Sequence, residues 1–76
     1  MNEIEFFIIN WIEEKTGFVL RTNQNFFDSP AFDSLSFAQL ISALEEEFDL
    51  EINFMELDDW TTVLTPSGLF LHIESL

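Results

Sequence analysis

The chain contains no cysteine, and only Lys15 and Arg21 carry a positive charge. The first absence excludes a disulfide framework and any thiolate metal site. A chain of 76 residues must then be held together by packing alone. One domain spanning residues 1–76 is expected at this length, with only about 60–65% of the unfolded surface buried. The scarcity of cations leaves fifteen acids unbalanced and a formal net charge of −13. Such a surface repels nucleic-acid phosphates and anionic lipid heads, attracts basic protein surfaces, and weakens the fold at low salt. A long apolar run is also missing. "FFIINWI" is too short to span a bilayer and is flanked by Glu3, Glu5, Glu13 and Glu14, without the basic start of a signal peptide. A soluble cytoplasmic protein with no nucleic-acid partner and no membrane insertion is expected, and the self-repelling surface favours a monomer.

What is abundant is aromatic. Ten Phe and two Trp allow a small core to be compensated, at about 1.5–3 kcal/mol for each fully buried Phe. Their spacing is helical. Ile4, Phe7, Ile8, Trp11 and Ile12 line one face of a first helix, with Asn2 and Glu5 as a capping box and Gly17 as its stop. Phe37, Leu40, Ile41, Leu44 and Phe48 line a second, capped by Asp33 or Ser34. Thr65 and Pro66 open a last helix, which Gly68 weakens slightly. "FMELDDW" reads as a short helical turn. Residues 18–32 show no period, yet Phe26, Phe27 and Phe32 punctuate them, so this long loop should pack onto the core. The fold expected is all-α: three longer helices, one short, and a long loop between the first and second.

Ser34 in "FDSLSF" has three readings: a helix cap, a nucleophile, or a point of covalent attachment. A nucleophilic serine needs a base and oxyanion donors. The single histidine, His72, lies near the far end of the last helix, and no Gly-x-Ser-x-Gly elbow surrounds Ser34. No catalytic residue is therefore assigned. "EEEFDLE" lacks the ligand ladder and glycine of a calcium loop, so no metal site is assigned. Attachment is physically permitted, because a helix N-terminus favours a phosphodiester. On these residues alone the plainer reading, that Asp33 and Ser34 merely cap a helix, wins for most proteins.

The longer segment "FDSLSFAQLISALEEEFDLEI" resembles the core of the acyl carrier protein family. The resemblance rests on Asp33, Ser34 and Leu35, then Leu44 to Phe48, then Ile52, with "TTV" at 61–63. It implies a four-helix acyl-carrier-like bundle. It also implies 4′-phosphopantetheine, transferred from coenzyme A onto Ser34 by a phosphopantetheinyl transferase, as a non-catalytic carrier's arm for an acyl or aminoacyl thioester. The further partners implied are an acyl- or aminoacyl-loading ligase and acceptor enzymes with basic docking surfaces. Asp33, Glu45, Glu46 and Glu47 are the anionic contacts expected on the second helix.

Some positions depart from the family's usual pattern. Ser36 and Gln39 stand where fatty-acid carriers have acids, Ser42 where an apolar residue is common, and Asn53 where proline often follows. These changes mark Ser36, Gln39 and Ser42 as the residues of partner preference, and they favour a specialised pathway over general fatty-acid synthesis. Phe7, Phe18, Phe37, Phe48 and Phe70 could fill the interior, which predicts a small or polar cargo outside the bundle. The alternatives are a fatty-acid-synthesis carrier, or an acidic helical interaction module without a cofactor.

Overall fold

The computed structural model describes residues 2–53 and 59–76. Among these, three α-helices and two 3-10 turns form the structure, with no strand. Helix α1 runs Glu3–Thr16, α2 Ser34–Phe48 and α3 Pro66–Glu74. The turns are Phe26–Asp28 and Trp60–Val63. The expected short fourth helix has no α-helical counterpart among the described residues. A 3-10 turn occupies Trp60–Val63, and residues 54–58 of the predicted turn lie outside the described ones.

Each α-helix starts on the kind of residue that can satisfy its first N–H groups. Asn2 caps α1, accepting from the Glu5 N–H at 2.8 Å, while its amide donates to the Glu5 carboxylate. Gly17 ends α1 at φ 75°, where its N–H reaches the Glu13 carbonyl. Thr65 caps α3, accepting from the Gly68 N–H at 3.0 Å, with Pro66 in the first turn.

The predicted faces meet in one core. Ile8 and Ile12 of α1 and Leu40, Ile41 and Leu44 of α2 are buried, joined by Leu69 and Ile73 of α3. Helix α1 packs against both α2 and α3, and α3 packs against the Trp60–Val63 turn. Gly68 is more than a weak helix residue. A Cβ there would collide with the Thr62 carbonyl oxygen, so its missing side chain lets α3 approach the turn.

The long loop packs down as expected. Leu20, Phe26 and Phe32 are buried. Two backbone bonds tie it to the start of α3: Phe26 N–H to the Leu64 carbonyl at 2.7 Å, and Ser67 N–H to the Thr22 carbonyl at 2.7 Å. They orient the chain that leads into α2.

Candidate functional site

Helix α2 begins over a cluster of phenylalanine rings. Phe32 precedes the cap and Phe37 sits in the first turn, the positions of a hydrophobic staple. Their rings meet edge to face with centroids 6.4 Å apart. Phe26 lies 5.5 Å from Phe32 and 5.8 Å from Phe37, and Phe27 lies 5.4 Å from Phe32. The loop thus fixes the angle at which α2 leaves the core.

On that base the polar groups divide their tasks. Asp33 is the cap: its Oδ1 accepts from the Ser36 N–H at 2.9 Å and the Ser36 hydroxyl at 3.0 Å. The Ser36 backbone N–H, then its hydroxyl, hold the Asp33 carboxyl below its ordinary value. Ser34 is the first helical residue and is exposed. Its hydroxyl makes no hydrogen bond among the described residues. The choice left open between Asp33 and Ser34 as cap is therefore decided for Asp33. Leu35 beside it is 66% exposed, an apolar side chain turned to solvent.

The remaining predicted positions follow along α2. Gln39, Ser42, Glu46 and Glu47 are exposed, and Ser36 is half-buried with its hydroxyl bonded to Asp33. Glu45 is half-buried, and its Oε2 accepts from the Ile52 N–H at 3.0 Å. That carboxylate anchors the chain returning from α2, a bond seven residues apart that helical spacing does not reveal. The helix then ends on Asp49, at φ 51°, and the Leu50 N–H closes onto the Glu45 carbonyl at 3.1 Å.

Trp11 and Lys15 are site features that the face-by-face reading missed. Lys15 Nζ lies 5.4 Å from the centroid of the Trp11 ring. Both line a surface hollow of about 400 Å³ shared with the outer face of α2. Their i, i+4 spacing on α1 is the signal that could have found the pair.

The α2 start fits an arm joined through a phosphodiester. It offers an exposed, uncommitted hydroxyl at the positive end of a fifteen-residue helix. No group of three or more metal-ligating side chains is found among the described residues. No helix among them is long and apolar enough to cross a membrane.

A family model described as "Phosphopantetheine attachment site" matches residues 8–65, more than half of the chain, from the middle of α1 to the cap of α3. No solved structure matches the chain.

Proposed function

The chain belongs to the phosphopantetheine-attachment family, and we propose that Ser34 is its attachment residue and that residues 1–76 act as one carrier domain. The family's cofactor is 4′-phosphopantetheine, and carrying acyl groups is its general role. The observation that supports Ser34 is the separation of cap from hydroxyl. Asp33 satisfies the helix start, so the Ser34 hydroxyl remains exposed and uncommitted. When attached, the arm supplies a terminal thiol that holds an acyl or aminoacyl group as a thioester, chemistry a cysteine-free chain lacks.

The chain's own residues then orient and present. The Phe26–Phe27–Phe32–Phe37 cluster holds the α2 start rigid. Leu35 offers an apolar contact beside Ser34. Gln39, Ser42, Glu46 and Glu47 form a polar and anionic face toward basic enzymes: a phosphopantetheinyl transferase, a loading ligase and an acceptor. Charge of this kind favours fast encounter and salt-sensitive release. Glu45 and Ser36 contribute less, since each is partly spent on a bond within the chain.

The interior supports a small or polar cargo. Phe7 meets Phe48 edge to face at 5.5 Å, and Phe18 and Phe37 pack against the core. A core packed with aliphatic side chains and flanked by these rings favours a specialised pathway over long-chain synthesis. In this reading the protein works as a cytoplasmic monomer.

The test is incubation with coenzyme A, Mg²⁺ and a broad-specificity phosphopantetheinyl transferase, followed by intact mass. The wild type gains the mass of one arm and Ser34→Ala gains none. An equal gain in Ser34→Ala removes Ser34 from the account.

A further inference from the structure

One helical turn beyond Ser34 the surface falls into the hollow between α1 and α2. Ser34, Ala38, Ser42 and Glu46 form a single i, i+4 row on α2, and the last three of them line the hollow. The rise of an α-helix puts Ala38 about 6 Å and Ser42 about 12 Å along the axis from Ser34. The floor is low because the side chains of Ala38, Ser42 and Ala43 are small. The opposite wall is tall: the Trp11 ring, with Lys15 across it. Gln39 and Ser42 bring an amide and a hydroxyl that make no hydrogen bond among the described residues. The hollow therefore opens beside the attachment residue, runs lengthwise away from it, and presents uncommitted donors and acceptors.

From this geometry we infer that the hollow between α1 and α2 is a resting berth for the arm carried by Ser34. The inference rests on Ser34 being the attachment residue. Ala38 leaves the passage open. Gln39 and Ser42 exchange hydrogen bonds with the amides of the arm, groups that need both a donor and an acceptor. Trp11 and the stem of Lys15 shield its thiol end from solvent. The interior, packed with aliphatic side chains and the rings of Phe26 and Phe32, is not used. Gln39 and Ser42 also belong to the face offered to partners. A partner that covers them displaces the arm, which couples docking to presentation of the cargo.

The chain has no cysteine, so a thiol-reactive nitroxide attached to the loaded protein labels the arm alone. Loading on Ser34 is first established by mass. Amide relaxation in the fully loaded, labelled protein is then compared before and after reduction of the nitroxide. The berth predicts several-fold stronger broadening at Trp11, Lys15 and Ser42 than across α3. In Ala38→Leu, whose side chain blocks the passage, that excess disappears while the spectrum of the unloaded variant stays folded. If the variant does not fold, the wild-type pattern alone decides. Broadening at Trp11 and Lys15 no greater than the chain average, in protein loaded at Ser34, overturns the berth and leaves the carrier reading intact. Absence of loading at Ser34 overturns both.

Discussion

At the scale of single residues, Asp33 and Ser34 are neighbours with opposite employment. Asp33 is spent on the helix and Ser34 is kept free. The low carboxyl of Asp33 has a pH signature whose sign can be worked out. Its ordinary value is 3.8, and the folded value is lower. The ionised form is therefore favoured by folding, and its contribution is present above the unfolded value and lost as pH falls through the folded one. Asp33→Asn keeps a capping side chain without the titration. The difference in urea midpoint between wild type and Asp33→Asn should hold steady near neutrality and shrink as pH drops below 3.8. A difference unchanged down to the acid limit of the fold would contradict the cap's charge-assisted bonds. Gly68 makes a second residue-scale claim. Helix propensity alone says that Gly68→Ala gains about 1 kcal/mol. The collision with the Thr62 carbonyl says that the backbone must move, which costs about 1–3 kcal/mol. The account predicts net destabilisation, read as a lower urea midpoint with an unchanged slope.

At the scale of elements, α2 is set by its two ends. The staple of Phe32 and Phe37 fixes where it starts, and the left-handed Asp49 fixes where it stops. A left-handed conformation costs a non-glycine residue about 1–2 kcal/mol. Asp49→Gly should therefore stabilise the protein by about 1 kcal/mol, measured by denaturant unfolding, and a loss would show that the Asp49 side chain matters there. The apolar periodicities of α1 and α2 were legible in the sequence because one face of each is buried and the other is wet. Ile8, Ile12, Leu40, Ile41 and Leu44 fall inside, as that pattern requires. The caps at Asn2 and Thr65 and the stop at Gly17 were legible because few residue types can do those tasks. The contribution of Glu45 was not, since its bond to the Ile52 N–H depends on how the chain turns back after Asp49. The hollow was hidden for a related reason: Trp11 and Lys15 belong to α1, and only the packing of α1 on α2 brings them opposite Ser42. The short helical turn expected from "FMELDDW" rested on composition without a period; residues 54–58 lie outside the described ones, and a 3-10 turn begins at Trp60, where the Asp59 carboxylate accepts from the Thr61 N–H at 3.0 Å.

At the scale of the whole molecule, charge and packing oppose one another. Fifteen acids against two cations repel one another in the folded state, while a core of aliphatic side chains and contacting rings holds it together. Screening relieves the repulsion without touching the core. Raising salt from low to physiological ionic strength should lift the melting temperature by about 5 °C, the equivalent of roughly 1 kcal/mol for a domain of this size. The same salt should weaken binding to a basic partner, because association draws on the charge that folding has to tolerate. A molecule of this kind keeps its surface anionic for encounter and its chemistry on a borrowed thiol. The most direct measurement of that account is fragmentation mass spectrometry of the protein after loading from coenzyme A. The account predicts the phosphopantetheine on Ser34 in every loaded molecule. Finding it on Ser36, Ser29 or any other residue, or finding no loading at all, would contradict it.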